Sequence, residues 1–331
     1  VSVKYFCIMA KNDKLYDLII VGGGPIGIAC ALEAEKKALS YLILEKGTVV
    51  NSLYNYPTNM QFFSTSEKLE LDEIPFISKE AKPSKQEALE YYRRIATSRR
   101  LNMKLFEKVE AVENACDVFQ VTTTKSNHSA RNIILATGFY DLPNLMNVPG
   151  EELHKVFHYY DDPHLYAFQK VAVVGASNSA VDAALEIYRK GGDVTMIVRG
   201  NEIGDRVKYW VKPDVENRIK EGSIKALFNA QIVKIEQDII KIDQKGQEIT
   251  LENDFVLALT GYRPNFKMLK SLGVKLEGKM KKPVYDSQTM ETNVPGIYLA
   301  GVVCGGLETH KWFIENSRAH AALIAEHIAN K

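Results

Sequence analysis

The sequence predicts an α/β fold with two parallel sheets, each organised around one strand–glycine turn–helix unit. Three observations carry this. "YDLIIVGGGPIGIACALEAEKK" (16–37) runs an apolar strand through a glycine turn into an alanine-rich helix, and the apolar run "YLILEKG" (41–47) follows. "QKVAVVGASNSAVDAALEIYRKGG" (169–192) repeats the pattern much later and is followed by "DVTMIVRG" (193–200). With 46% hydrophobic and 25% charged residues, the chain has the apolar content two such cores require.

The elements follow in chain order. "VSVKYFCIMAKNDK" has too short an apolar part and too charged an end for a secretory signal. Met9 is a candidate natural start, residues 1–8 then being an upstream extension. In the first unit, Gly22-x-Gly24-x-x-Gly27 lies between strand and helix. Gly22 permits the tight turn, Gly24 lets backbone approach a pyrophosphate, and Gly27 lets helix and strand pack closely. A pyrophosphate there meets the free N–H groups and the positive end of the helix dipole. Glu45, ending the next strand, accepts hydrogen bonds from a ribose diol and repels a 2′-phosphate, so the site suits FAD or NAD.

Beyond it, "PSKQEALEYYRRIATSRRL" (83–101) spaces its apolar residues as a helix does, and "MKLFEKVEAVEN" and "VFQVTTT" alternate as short strands. The second unit carries a relaxed turn, Gly175-x-Ser177-x-x-Ala180, whose Ser and Ala remain small enough for close approach. Arg199 stands where Glu45 stood in the first. A cation there suits the 2′-phosphate of NADPH. One charge-assisted contact contributes about 1.5–3 kcal/mol, roughly a 10- to 150-fold preference over NADH. Arg206 is a second candidate for that phosphate, and Asn178 and Ser179 complete the turn. Strands are expected around 231–251 and 254–260, and "FIENSRAHAALIAEHIAN" closes the chain as a helix.

Two unlike dinucleotide sites in one chain have an economical meaning: one holds a flavin and the other admits NADPH to reduce it. The expected organisation is two Rossmann-like domains. Residues 12–140 and 263–331 form a discontinuous FAD domain and 141–262 the NADPH domain, with hinges near residues 140 and 262.

Composition narrows the partners. A formal net charge of +1 gives no global reason to expect nucleic acid or an anionic membrane. No run approaches about 18 uninterrupted apolar residues, so no membrane span is expected. The four cysteines, Cys7, Cys30, Cys116 and Cys304, are scattered, without a Cys-x-x-Cys pair or zinc spacing. This usage points to a reducing cytoplasm, and no His, Cys and carboxylate cluster suggests a metal.

From residue 15 to the end, the chain resembles the thioredoxin reductase-like pyridine nucleotide-disulfide oxidoreductases. "ILATGF" (134–139) and "LALTGYRPN" (257–265) resemble the two crossings between that family's domains, and "ETNVPGIYLAGV" (291–302) resembles its second FAD motif. Tyr-Asn-Tyr-Pro-Thr (54–58), Val-Phe-His-Tyr (156–159), Ala-Gly-Val and "FIEN" (313–316) resemble its bacillithiol-disulfide reductase branch in particular. The resemblance implies that FAD meets Gly22, Gly24, Pro25, Ile26, Gly27, Glu45, Lys46, Val109, Ala136, Thr137, Gly138, Gly301 and Val302. It implies that NADPH meets Gly175, Ser177, Asn178, Ser179, Ala180, Arg199 and Arg206. Val302 replaces an Asp that binds a ribitol hydroxyl in most relatives. A homo-oligomer, dimer or larger, is also implied.

The implied acceptor is a low-molecular-weight disulfide such as bacillithiol disulfide. One residue departs from that pattern. The branch carries a redox cysteine in its first glycine turn, where this chain has Ile26, and an alkyl chain cannot attack a sulfur. Cys304 is the replacement candidate, since a thiol near a helix N-terminus has a lowered pKa; Cys30 reads as a small buried hydrophobe. His310 is a candidate donor to flavin or substrate. His158 either contacts substrate or packs among its aromatic neighbours, and Tyr54 and Tyr56 either stack near the flavin or form a packed corner. The helix from about Trp312 is expected to present its N-terminus to the flavin, with His320 structural. The alternative acceptor is a redox carrier protein, as in ferredoxin/flavodoxin–NADP reductases. A flavin monooxygenase and a non-enzymatic redox sensor are further alternatives.

Overall fold

The computed structural model describes residues 14–115 and 117–331, so Cys7, Met9 and Cys116 lie outside the described residues. The described residues divide into two compact units: those of 14–55, 64–142 and 262–331 form the first, and 56–63 and 143–261 the second.

In the first unit, β1 (Leu15–Val21), α1 (Pro25–Lys36) and β2 (Tyr41–Leu44) form the expected strand–helix–strand unit. Three strands follow: β3 (Met103–Lys104), β4 (Val109–Ala115) and β5 (Val118–Thr123). With β6 (Asn127–Leu135) they complete a sheet of order β3-β2-β1-β6-β5-β4. β1, β2, β3 and β6 are parallel neighbours, with Leu18 opposite Tyr41 and Ile19 opposite Ile133. β4 and β5 add an antiparallel meander. β2 and the second half of β1 are buried apolar runs, as inner strands of a parallel sheet are. After the chain has passed through the second unit, Ile297–Leu299 returns to this sheet and pairs parallel with the end of β6. That return makes the first compact unit discontinuous in sequence.

The helix expected over 83–101 spans Lys85–Ser98. It starts on a capping box: Ser84 N–H donates to Glu87 Oε2 at 2.8 Å, and Ser84 Oγ accepts from Glu87 N–H at 3.3 Å. The closing helix is split into Ile314–Ser317 and Ala319–Ala329, and neither part includes Trp312. The side chain of Arg318, at the break, reaches the carbonyl of Glu70.

The second unit has a five-stranded parallel sheet. Its order is Lys225–Phe228, Asp193–Val198, Lys170–Val174, Phe255–Ala258, Val156–Phe157. A three-stranded antiparallel sheet, Ala230–Ile235, Ile239–Gln244 and Gln247–Glu252, flanks it. Residues 56–63 belong to this unit, although they fall in the sequence between elements of the first. Thr58 N–H donates to the Asp161 carbonyl at 2.8 Å, and the Asn59 amide donates to Glu186 Oε2 at 3.3 Å. Phe63 packs 5.5 Å from the Trp210 ring.

Candidate functional site

The three glycines of the first turn meet different surroundings. Gly22 sits at φ 113°, and a Cβ on it would come within 2.5 Å of the Ala136 carbonyl oxygen. A Cβ on Gly27 would lie 1.9 Å from the Gly22 carbonyl oxygen. Around Gly24, by contrast, nothing lies within 4 Å of the position a Cβ would take. This open place precedes the N-terminus of α1, where the first N–H groups have no intrahelical partner. Pro25, at the first helical position, has no N–H to lose. An open cradle with free donors and a positive dipole end fits a dinucleotide pyrophosphate.

Gly23, to which the sequence reading gave no role, holds the acid in place. Its N–H donates to Glu45 Oε2 at 2.7 Å, and Gly47 N–H donates to Oε1 at 3.0 Å. A Cβ on Gly23 would lie 3.0 Å from the Glu45 Cβ, so the Glu45 side chain would have to give way to it. Burial pushes the Glu45 carboxyl up, and the two N–H donors oppose it. Each oxygen keeps a lone pair for a ribose diol. Val50 N–H donates to the Gly23 carbonyl at 3.0 Å, and this fully buried, β-branched residue sits at φ 48°, ψ 46°. Such a conformation costs on the order of 1–2 kcal/mol and marks a built turn.

Further predicted contacts gather here. Ala136 N–H donates to the Val21 carbonyl at 2.9 Å, placing Ala136, Thr137 and Gly138 beside the turn. Glu107 N–H donates to the Glu45 carbonyl at 2.9 Å, which brings the start of β4 at Val109 alongside. Lys46 is ion-paired with Asp141. The Glu107 carboxylate is buried and accepts from Thr123 Oγ1 at 2.9 Å and Ser126 Oγ at 2.6 Å, with His128 Nε2 at 2.8 Å. Despite burial, which acts to raise it, these bonds hold its pKa at about 2.

Ile26 and Gly301 meet. Gly301 has φ 85°, and a Cβ on it would lie 3.4–3.5 Å from the Ile26 side chain. Gly301 N–H donates to His320 Nδ1 at 3.2 Å, so His320 is the Nε2–H tautomer and anchors the second motif from the last helix. Burial pushes the His320 pKa down to about 4. The fold therefore holds its neutral form, whereas the unfolded chain takes up a proton below about pH 6.5. The stabilisation is complete above that pH and is lost as pH falls toward 4. We expect unfolding free energy to fall by about 2 kcal/mol from this group between pH 8 and 5. Urea denaturation of the protein and of His320→Gln checks this; equal pH slopes in the two would refute it.

The activation expected for Cys304 is not met. Its thiol is 2% exposed, and burial raises its pKa. Cys304 lies in the short turn Gly301–Gly305, with Sγ 3.8 Å from His320 Nδ1. Cys30 is equally buried, and burial, reinforced by the Glu33 charge, pushes it up to about 12. His310 is exposed on the turn before the split helix. Trp312 packs edge-on to His320, ring centroids 4.6 Å apart, and its buried Nε1 has no hydrogen-bond partner among the described residues. Val302 is half-buried. Tyr54 lies 5.9 Å from Lys85 Nζ, in cation–π contact. His158, in the second unit, has Nε2 3.7 Å from Glu151 Oε1.

The second turn repeats the first in relaxed form. Gly175 has φ 133°, and a Cβ on it would meet the Leu259 carbonyl oxygen at 2.7 Å. Ala180 Cβ would lie 3.1 Å away, showing that Ala serves where the first turn needs Gly27. Ser177 stands at the N-cap position of the helix Asn178–Arg189 without a side-chain capping bond. Arg199 and Arg206 are exposed, and among the described residues neither guanidinium has an ion-pair partner. Two exposed cations beside a glycine turn and a helix N-terminus suit a phosphorylated nucleotide.

No helix among the described residues is long and apolar enough to cross a membrane. The family model "pyridine nucleotide-disulphide oxidoreductase" matches residues 19–301. Bacilliredoxin reductase Bdr of Bacillus subtilis (strain 168) is 42% identical over 315 residues, 95% of this chain and 97% of that one. The solved structure of bacillithiol disulfide reductase Bdr from Bacillus cereus matches with a TM-score of 0.94 and 41% identity, covering 96% of this chain and 99% of that one. Ferredoxin–NADP reductase 2 of Bacillus thuringiensis (strain Al Hakam) is 26% identical over 319 residues, 89% of this chain and 87% of that one. Two strand–glycine–helix units, a discontinuous first domain and a family match through both make this chain a member of the pyridine nucleotide-disulphide oxidoreductase family, an NAD(P)H-dependent flavoprotein oxidoreductase.

Proposed function

We propose that this chain passes two electrons from NADPH through FAD to a low-molecular-weight disulfide of the bacillithiol type: NADPH, a proton and the disulfide give NADP⁺ and two thiols. The observation that carries this reading is near-full-length similarity to two bacillithiol-related reductases at 41–42% identity. FAD belongs to the first unit, where Gly24, Glu45 and Gly301 would hold its pyrophosphate, ribose and ribitol regions. NADPH belongs to the second, where Gly175 and Ser177 would seat the pyrophosphate and Arg199 and Arg206 the 2′-phosphate. FAD, when bound, accepts the hydride equivalent and releases two electrons. The protein's part is to bind, orient and exclude water.

The test is anaerobic NADPH oxidation by the FAD-loaded protein with bacillithiol disulfide as sole acceptor. Turnover with a KM below about 1 mM is expected. No turnover, with the flavin still bleached by NADPH, overturns the disulfide reading. Ile26, which leaves the first turn without a thiol, favours a second reading, reduction of a carrier protein. Turnover with ferredoxin or flavodoxin in the same assay would establish that reading instead.

A further inference from the structure

Resting on the NADPH reading above, we infer that Asn178 is a positioning residue for coenzyme selection: it holds the Arg206 loop in place for the 2′-phosphate rather than touching the dinucleotide. Its sequence position, first in the helix after the second turn, suggested a nucleotide contact. The structure gives its carboxamide another task. Asn178 Oδ1 accepts from Lys208 N–H at 2.8 Å, and Asn178 Nδ2 donates to the Arg206 carbonyl at 3.1 Å. Only a group carrying donor and acceptor side by side satisfies both, and a primary amide is that group. The two bonds flank Val207 and so hold the peptide that directly follows the Arg206 side chain.

Two further ties fasten the same loop. Gly204 N–H donates to the Ala176 carbonyl at 3.0 Å, an approach so close that a Cβ on Gly204 would lie 2.9 Å from that oxygen. Lys208, 9% exposed, places Nζ 2.8 Å from Asp182 Oδ2, one helical turn beyond Asn178. The loop is thus tied at both ends to the turn and first helical residues that would seat the pyrophosphate. Asp205, the neighbouring acid, is drawn to Lys212 Nζ at 3.1 Å, leaving the Arg206 guanidinium without an ion-pair partner among the described residues. A long cation is a strong phosphate ligand only when its backbone is fixed, because its own rotamer entropy opposes ordering. Asn178 supplies that fixation.

The test uses the FAD-loaded protein with ferricyanide as acceptor, so that it is independent of the natural acceptor. KM is measured for NADPH and for NADH in the wild type, Asn178→Ala, Arg206→Ala and the double variant. Asn178→Ala is expected to raise KM for NADPH about 10-fold while leaving KM for NADH within about 2-fold. In the double variant the effect should not exceed that of Arg206→Ala alone, because both changes remove one contact. Asp182→Asn, which loosens only the Lys208 tie, should shift NADPH in the same direction by less, and it serves if Asn178→Ala fails to fold. Equal increases for NADPH and NADH, or additive effects, would overturn the proposal. If Arg206→Ala weakens NADPH and both loop variants leave it unchanged, the positioning role alone fails. If Arg206→Ala leaves the NADPH preference intact, the assignment of Arg206 to the 2′-phosphate fails and the positioning role with it, while the Arg199 reading stands.

Discussion

Replacing Gly24 by alanine is expected to leave the apoprotein folded and to weaken flavin binding about 100-fold, whereas replacing Gly27 by alanine should damage the fold itself. The two glycines are three residues apart in one motif, yet a methyl group meets opposite surroundings at each. At Gly24 it meets nothing within 4 Å, and the backbone there, φ −74° and ψ 178°, is open to any L residue. The cost to the apoprotein is that of an N-cap change, under about 1 kcal/mol. The methyl instead occupies the space a pyrophosphate needs, and a 100-fold loss corresponds to about 2.7 kcal/mol. At Gly27 the methyl would lie 1.9 Å from a backbone oxygen that the Gly22 turn holds fixed. Either turn or helix must shift, at about 1–3 kcal/mol or more. Urea unfolding of both apoproteins, with fluorescence titration by FAD, separates the two effects. A Gly24→Ala protein that binds FAD at wild-type strength would remove the first turn from the flavin site.

That contrast also marks what the sequence makes legible. Positions needing glycine for local reasons announce themselves: Gly22 at φ 113° and Gly175 at φ 133° stand where strand becomes helix, and the flanking apolar runs have the period of their elements. Pairings between distant residues do not. Gly23 looks like filler until Glu45, on the next strand, accepts its N–H. His320 reads as a core residue on an alanine-rich helix, and only the folded chain brings its Nδ1 to Gly301. Residues 56–63 have no periodicity that would assign them to the second unit; their hydrogen bonds to Asp161 and Glu186 do so. The expected activation of Cys304 failed for a related reason. A glycine-flanked thiol looks accessible in the sequence, but exposure is a property of packing, and this thiol is buried. Local rules set the backbone's turns, while side-chain environments depend on contacts that no window of sequence contains.

Ile26→Cys is expected to accelerate reduction of bacillithiol disulfide at least 10-fold. Residue 26 is the second residue of α1, half-buried, with its side chain against Gly301. A thiol there gains what Cys30 and Cys304 lack: partial exposure and the positive end of a twelve-residue helix, both of which lower a thiol pKa. As a thiolate it would attack one sulfur of the disulfide, forming a mixed disulfide and releasing the first thiolate, which takes up a proton; two-electron reduction by FAD, when bound, would cleave the mixed disulfide to the second thiol and regenerate the cysteine thiolate. The loss of alkyl packing on Gly301 costs about 0.5–1.5 kcal/mol, too little to unfold the domain. Anaerobic turnover, with iodoacetamide labelling across pH to titrate the new thiol, measures both halves of the claim. If the Ile26→Cys protein labels as a low-pKa thiol and its turnover is unchanged, the wild type does not lack a thiol at this position in any way that limits it. Electrons would then leave the flavin by a route that Ile26 does not obstruct, and the alkyl chain would be part of how the site shields the flavin from water.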